Sequence, residues 1–147
     1  MNIKSAFAAF VLAVVVAAPV AAQTPTPTLY KRLGGYDAVA AVTDDFLGRL
    51  AADPQFKPFF VGHSTDSIKK IRQNIVDQLC AATGGPCVYV GRDMKTAHAG
   101  LGITEAQWDA SVKMLIATLD KFNVPAKEKD EVLGAIGSLK KDIVEKP

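Results

Sequence analysis

The chain has 147 residues, 49% of them hydrophobic, and its formal net charge at pH 7 is +2. This length and apolar content predict a single domain with a substantial core. The basic residues are dispersed rather than clustered, so nucleic acid is not expected as a partner.

The first 22 residues have the features of an export signal. Lys4 precedes a long apolar run, Ala6–Val20, and small residues lie just before Gln23. This arrangement is typical of a secretory signal peptide. The alternative is a retained membrane anchor, for which the apolar run is near the lower length limit. We therefore expect removal of Met1–Ala22, which leaves a periplasmic or secreted protein with no membrane segment. Because Lys4 is the only charged residue lost, the net charge falls from +2 to +1.

Beyond the signal, the sequence predicts a Pro/Thr linker over residues 23–28 and one domain over residues 29–147. The apolar periodicity of this domain is helical, with no strand pattern and no internal repeat, so the predicted fold class is all-α. The predicted elements are a short element Tyr30–Gly35, the helices Asp37–Ala52 and Asp66–Ala82, a short helical turn Asp93–Ala97, and the helices Thr104–Phe122 and Ala126–Val144.

Each of the four long helices carries an apolar stripe that predicts its buried face. The stripe of the second long helix consists of Ile68, Ile71, Ile75 and Leu79. The stripe of the third consists of Trp108, Val112, Leu115, Leu119 and Phe122.

The two cysteines, Cys80 and Cys87, flank a Gly-Gly-Pro turn. An oxidising compartment favours a disulfide between them, provided that their Cα atoms lie within about 7 Å of each other. The alternative is a pair of buried or free thiols. A zinc site is disfavoured, because no second Cys or His pair would complete it.

A long irregular segment, residues 83–103, separates the second and third long helices and contains His98. A segment of this length inside a compact domain is usually functional. The short turn leads into His98, two glycines follow, and Thr104 with Gln107 forms a capping box that opens the next helix.

A neutral imidazole at the end of a short, glycine-terminated helix suits the axial position of a haem iron. The alternative role for His98 is a surface histidine at a helix end. The chain contains no CxxCH pattern, which excludes covalent attachment of the c type.

Four stretches of the sequence resemble the group 1 truncated haemoglobins. They are LYKRLGG, AVTDDFLGRLAADPQFKPFF, ATGGPCVYVGRDMKTAHAGLGIT and VPAKEKDEVL, and they occur in the family's order. The resemblance covers essentially all of Leu29–Val144. It implies a two-over-two helical sandwich around non-covalent haem b, with His98 as the proximal iron ligand.

The resemblance also implies which side chains surround the haem. The expected pocket wall consists of Phe59, Phe60 and Trp108. Met94 is expected to pack on the porphyrin face. The candidates for partners of the anionic propionates are Tyr89, Arg92 and Lys95, which are close to His98 in sequence. The alternative for these polar residues is simple exposure to solvent.

On the distal side of the iron the sequence departs from the family pattern. Family members commonly have a tyrosine directly after the phenylalanine that matches Phe46, and often glutamine on the opposite helix. Here the matching positions are Leu47, Ile71 and Ile75, which with Phe46 are expected to line the pocket. A hydrogen bond to polarised dioxygen in a dry pocket contributes about 1.5–3 kcal/mol. We therefore expect dioxygen to escape about ten- to a hundredfold faster than from a pocket with such a donor.

Other polar residues nearby are alternatives for the distal role. Gln73, Asn74 and Gln78 are possible substitute donors on the same helix. His63 is an alternative distal ligand, although its place in the loop before this helix favours solvent exposure instead.

Together these features predict a haem protein that binds dioxygen, NO or CO. Dioxygenation of NO, which the family suggests for some members, needs a stable oxygen complex and an unidentified reductase, so the apolar pocket favours gas binding. The alternative is a periplasmic redox protein, or one that detoxifies peroxide or NO, although no distal acid or base is evident for this chemistry. A haem-free helical module is the third interpretation.

Overall fold

A computed structural model describes residues 25–147. The predicted signal peptide, Met1–Ala22, and the start of the linker lie outside the described residues. The helices are α1 (Leu29–Arg32), α2 (Tyr36–Ala52), α3 (Thr65–Ala82), α4 (Met94–His98), α5 (Glu105–Lys121), α6 (Ala126–Gly137) and α7 (Lys140–Ile143), with a 3₁₀ turn at Lys57–Phe60. The only extended pairing within the described residues is an isolated bridge between Thr104 and Lys146. The predicted all-α fold is therefore confirmed.

Every helix among residues 25–147 is too short or too polar to span a bilayer.

A sharp turn at two glycines separates α1 from α2. Gly34 and Gly35 have φ values of 101° and 80°, in the left-handed region that favours glycine. A Cβ at position 34 would also lie 3.1 Å from the Cβ of Ala38. The glycine pair therefore fixes the start of α2, one residue before the predicted position.

The core forms where α2 packs on α5 and where α5 packs on α6, and α3 also packs on α2. Leu115, Leu119 and Val132 are buried and form one cluster. The half-buried side chains packed against this cluster are Leu29, Leu33, Val42, Phe46, Val124, Leu133 and Ile136.

The buried faces of α3 and α5 differ in part from the predicted stripes. In α3 the buried apolar residues are Val76 and Cys80, whereas the predicted stripe is only half-buried. Each buried residue directly follows a stripe residue, so the buried face is rotated by one residue, or about 100° around the helix. In α5, Trp108, Leu115 and Leu119 are buried as predicted. Phe122, which follows the last helical residue, is 39% exposed.

The C-terminal helix is divided, which corrects the prediction of one helix over Ala126–Val144. At the break, the N–H of Ser138 lies 3.3 Å from the carbonyl of Gly134, and the next N–H bonds three residues back instead of four. Gly134 and Gly137 lower the helix propensity of this stretch. The break allows α7 to pack on α4.

Cys80 and Cys87 form a disulfide with their Cα atoms 5.7 Å apart, so the favoured pairing is confirmed. The turn between them needs glycine at position 85, because a Cβ there would lie 2.6 Å from both Cys80 Sγ and the ring of Tyr30. The bridge joins the end of α3 to the segment that leads to α4.

Candidate functional site

The short helix α4 carries His98 as its last residue. A helix of five residues is marginal on its own, so its cap decides where it begins. The Asp93 carboxylate accepts the N–H of Thr96 at 2.8 Å and its hydroxyl at 2.7 Å. These hydrogen bonds hold the pKa of Asp93 below its usual value.

The ring of His98 has a defined orientation. Its Nδ1 atom lies 2.8 Å from the carbonyl oxygen of Met94, and the residue is half-buried. Because a carbonyl can only accept, Nδ1 is the donor in this contact, and in the neutral ring Nε2 is then the nitrogen with the lone pair. Metal-ligating histidines typically have a carbonyl or carboxylate partner of this kind, which fixes the tautomer and makes the ligating nitrogen more basic.

Aromatic side chains come from the 3₁₀ turn, which packs on α2. Phe56, just before the turn, is buried, and its ring centroid is 6.3 Å from that of Phe59. Phe59 and Phe60 are half-buried. They are therefore partly accessible apolar surfaces rather than closed core.

Trp108 lies near the start of α5 and is buried. The neighbouring Gln107 donates its side-chain amide to the carbonyl of Gln55 at 3.4 Å. Gln107 also completes the predicted capping box with Thr104. The start of α5 is thereby tied to the segment just before the 3₁₀ turn that carries Phe59 and Phe60.

The predicted distal residues lie on the two packed helices α2 and α3. Leu47, Ile71 and Ile75 are half-buried, and none has a hydrogen-bond donor in its side chain. Phe46 packs against the core cluster of α5 and α6.

The polar alternatives on α3 differ in their surroundings. Gln73 is exposed, and its amide donates to the Tyr36 hydroxyl and to Asp77 Oδ1, each at 2.9 Å. Asn74 and Gln78 are half-buried.

His63 is exposed in the turn before α3, as predicted.

The three polar residues that are close to His98 in sequence differ in hydrogen bonding and exposure. The Tyr89 hydroxyl donates to the carbonyl of Arg92. This contact closes a tight turn in which a Cβ at Gly91 would lie 2.3 Å from the Tyr89 hydroxyl. Tyr89 is therefore already engaged, whereas Arg92 and Lys95 are exposed and accessible to an anion.

The side chains fit a flat apolar cofactor with an anionic edge. Six large apolar side chains are half-buried instead of closed in the core: Leu47, Phe59, Phe60, Ile71, Ile75 and Met94. Covering such surface is favourable by about 25 cal/mol per Å². In the neutral ring of His98, Nε2 is the nitrogen available to a metal, and Arg92 and Lys95 are exposed cations close to His98 in sequence. These features together match the needs of haem.

A separate apolar cavity of about 130 Å³ lies inside the core. Its lining residues are Leu33, Ala38, Val39, Val42, Leu79, Thr83, Leu115, Leu119, Phe122, Val124 and Val132. It shares no residue with the predicted cofactor site.

One residue that contacts the loop after His98, Glu145, was not predicted from the sequence. Its carboxylate accepts the N–H groups of Gly100 and Gly102, two residues of the loop after His98. The hydrogen bonds from Gly100 and then Gly102 lower the pKa of Glu145. Glu145 lies 45 residues beyond Gly100 in the chain, so no local pattern could have signalled the contact.

Comparison with known proteins places this arrangement in a family. The model of the bacterial-like globin family matches residues 28–145. The group 1 truncated hemoglobin GlbN of Mycolicibacterium paratuberculosis is 34% identical over 116 residues, covering 79% of this chain and 83% of that protein. The corresponding protein of Nostoc commune is 34% identical over 119 residues, covering 81% of this chain and 98% of its own length.

Solved structures agree with the sequence comparison. The truncated hemoglobin of Tetrahymena pyriformis in its Fe(III) form has a TM-score of 0.72 at 31% identity, and the match covers 80% of this chain and 98% of that one. The 2/2 hemoglobin of a Synechococcus species, in the cyanomet state and with covalently attached heme, has a TM-score of 0.72 at 32% identity over the same shares. The chain therefore belongs to the bacterial-like globins, among the group 1 truncated haemoglobins, a family that binds diatomic gases through haem.

Proposed function

We propose that this protein holds haem b non-covalently and binds a diatomic gas, with His98 as the proximal iron ligand. The observation that carries the proposal is the contact between His98 Nδ1 and the Met94 carbonyl, which leaves Nε2 free to bind iron. When bound, haem iron supplies the open coordination position at which dioxygen, NO or CO binds. The relatives described as truncated hemoglobins support this proposal.

The side chains around His98 have separate tasks in this proposal. Phe59, Phe60 and Met94 cover the apolar faces of the porphyrin and exclude water from it. Arg92 and Lys95 pair with the propionates, for which their exposed positions are suited.

The distal residues determine which gas is retained. Leu47, Ile71 and Ile75 provide shape but no hydrogen bond, so polarised dioxygen loses more stabilisation than CO or NO. We therefore propose rapid release of dioxygen, which suits gas sensing, storage or scavenging. The alternative, turnover of NO or peroxide, needs a reductase or a distal acid or base, and these side chains do not favour it.

We also propose that the protein works outside the cytoplasm. The disulfide between Cys80 and Cys87 supports this location, because disulfides persist in oxidising compartments. The signal-like composition of Met1–Ala22 supports it as well. Mass spectrometry of the native protein should find an N-terminus at Gln23 in the periplasmic or secreted fraction. A chain that retains Met1 in the cytoplasm would contradict the proposal.

Absorption spectra of the haem-loaded protein and of His98→Ala test the proximal ligand. We expect the substitution to abolish or strongly shift the Soret band, because it removes the nitrogen bound to iron. His63→Ala is the matched control, since it removes the other histidine of the chain, and should leave the spectrum unchanged. A wild-type spectrum retained in His98→Ala would overturn the assignment. Extraction of all haem into acidified butanone would confirm the non-covalent mode.

Leu47→Tyr tests the apolar distal pocket. The added hydroxyl restores a donor at this position, so we expect dioxygen dissociation to slow by about tenfold or more. Dissociation of CO should change less, since bound CO is less polarised. Leu47→Phe adds similar bulk without the hydroxyl and is the control. Equal slowing of dioxygen release in both variants would point to steric trapping and contradict the hydrogen-bond argument.

A further inference from the structure

The loop that follows His98, residues 99–103, is bound by a carboxylate from the end of the chain. Glu145 Oε1 accepts the N–H of Gly100 at 2.7 Å, and Glu145 Oε2 accepts the N–H of Gly102 at 2.5 Å. Both oxygens of one ionised group are thereby used on one short loop. Hydrogen bonds to a charged acceptor are about twice as strong as neutral ones.

The backbone around Glu145 is anchored to the same part of the molecule. The N–H of Glu145 donates to the carbonyl of Ile103 at 2.8 Å, and the N–H of Glu105 donates to the carbonyl of Lys146 at 3.1 Å. The carboxylate is therefore presented to the loop from a fixed backbone. Because the backbone is already ordered, the contact costs only the rotamer freedom of the Glu145 side chain.

The backbone conformation of the loop suits an anion. Gly100 and Gly102 have φ values of 82° and 66°, in the left-handed region. Backbone N–H groups in such turns form concave sites for negative groups. Glycine also has more backbone freedom than any other residue when no contact restrains it. Without the Glu145 carboxylate, the two N–H groups would lose their acceptor within the protein and the loop would have several accessible conformations.

The loop is connected directly to His98. The N–H of Leu101 donates to the carbonyl of His98 at 3.1 Å, and α7, which precedes Glu145, packs on α4. We propose that Glu145 is a positioning residue for His98: by fixing loop 99–103 it sets the direction of the imidazole. This inference rests on the proposed role of His98 as iron ligand.

The first test uses the haem-free full chain and hydrogen exchange of the Gly100 and Gly102 amides. Glu145→Gln keeps one acceptor oxygen and replaces the other with an NH₂ group, which cannot accept. We expect exchange of these amides to be about tenfold faster or more, as for loss of a charged hydrogen bond. Glu105→Gln is the matched control, because it also removes one negative charge but from a carboxylate paired with Lys140 of α7, at 3.4 Å.

The second test uses the haem-loaded protein. Resonance Raman spectroscopy of the reduced form measures the iron–histidine stretch, and transfer to an apo-globin acceptor measures haem retention. In Glu145→Gln we expect a shifted or broadened stretch and haem loss faster by about threefold or more, because the ligand is less well oriented. Glu105→Gln should match the wild type in both. Glu145→Asp, whose shorter side chain cannot span both amides, should give an intermediate result.

Three results would overturn, respectively, the positioning role of Glu145, its contact with the loop, and the proposed function. Faster amide exchange with an unchanged iron–histidine stretch and unchanged haem loss would overturn the proposal and leave Glu145 a purely structural residue. Unchanged amide exchange in Glu145→Gln would overturn the contact itself. If wild-type protein binds no haem, or if His98→Ala keeps the wild-type spectrum, the proposed function falls, and with it the role of Glu145 toward iron, whatever the exchange data show about the loop.

Discussion

Two regions of the molecule are held together in different ways. In the α2–α5 region, Thr43, Thr118 and Leu119 are almost completely buried, and packed side chains supply most of the contact. In the α4–α7 region, no residue of either helix is fully buried. Backbone hydrogen bonds, a helix cap and the Glu145 carboxylate hold this second region together.

The two regions therefore differ in the free energy needed to open them locally. Close-packed side chains make the α2–α5 region resistant to local opening, because opening it would expose a large apolar area. The α4–α7 region, which carries His98, depends on a few polar contacts and so opens at lower free energy. Such a region can accommodate a large cofactor after the core has formed. The disulfide is the covalent link between the end of α3 and the segment before α4.

Removal of the disulfide is expected to give the largest loss of stability. For cysteines seven residues apart, closure of the loop contributes about 2.5 kcal/mol to the free energy of unfolding. We expect Cys80→Ala combined with Cys87→Ala to lose at least this amount in urea unfolding, because it also removes the buried sulfur of Cys80. Hydrogen exchange should accelerate first in residues 84–92, on the α4 side of the link.

The oxidised and reduced wild-type proteins provide the control for this prediction. Reduction opens the bridge without removing the volume of Cys80, which is fully buried. The reduced protein should therefore lose only the contribution of the bridge and should unfold at a higher urea concentration than the double variant, which also has a cavity at position 80. If the oxidised wild type is no more stable than the reduced wild type and the double variant, the bridge does not stabilise the fold.

Much of the fold could be predicted because its helices are marked by local chemistry. The Gly34-Gly35 pair and the capping box of Thr104 with Gln107 placed the starts of α2 and α5 to within one residue. The break between α6 and α7 was not predicted. Gly134 and Gly137 only weaken a helix, and what favours the break is the packing of α7 on α4, which lies far away in sequence.

The buried face of α3 shows a second limit of periodicity. Val76 and Cys80 are close in hydrophobicity to the isoleucines of the predicted stripe, so the sequence offers two adjacent faces. Tertiary contacts choose between them. The face with Ile71 and Ile75 is left half-buried, which agrees with an expected place beside a cofactor.

The candidate site shows the same contrast between local and distant contacts. His98 could be singled out from its own segment of the sequence, and its carbonyl partner, Met94, lies one helical turn away. Glu145 was not expected, because its contact with the loop joins residues 45 positions apart. The part of the site built within one segment was therefore accessible to sequence analysis, and the part built by the C-terminus was not.

In the α2–α5 region, Asp45 is the polar contact whose loss should cost the most. Asp45 Oδ2 accepts Arg49 Nε at 2.7 Å and the Thr118 hydroxyl at 2.9 Å, and Oδ1 accepts Lys121 Nζ. We expect Asp45→Asn to lower the free energy of unfolding by about 2 kcal/mol, since the exposed ends of Arg49 and Lys121 are partly screened. The haem spectrum should not change.

Asp44→Asn is the matched control on the same helix. Asp44 accepts two hydrogen bonds from Arg72, but its side chain is 53% exposed. Exposed ion pairs contribute little, so the loss should be below about 1 kcal/mol. Similar losses in the two variants would show that burial beside Thr118 is not what makes Asp45 important.

The pH dependence of the stability lost in Asp45→Asn tests whether the negative charge of Asp45 is what stabilises the fold. Hydrogen bonds from Lys121 and Arg49, with a smaller one from Thr118, hold the pKa of Asp45 well below its usual value in the folded protein. In the unfolded chain the carboxyl group binds a proton near its ordinary pKa of about 3.9. The contribution of Asp45 is therefore complete above that value and declines as the pH falls below it.

The stability gap between wild type and Asp45→Asn should be constant from about pH 7 to 5 and should narrow toward pH 3. The other carboxylates titrate alike in both proteins, so a gap that keeps its full size at pH 3 would mean that packing, rather than the negative charge, makes Asp45 stabilising.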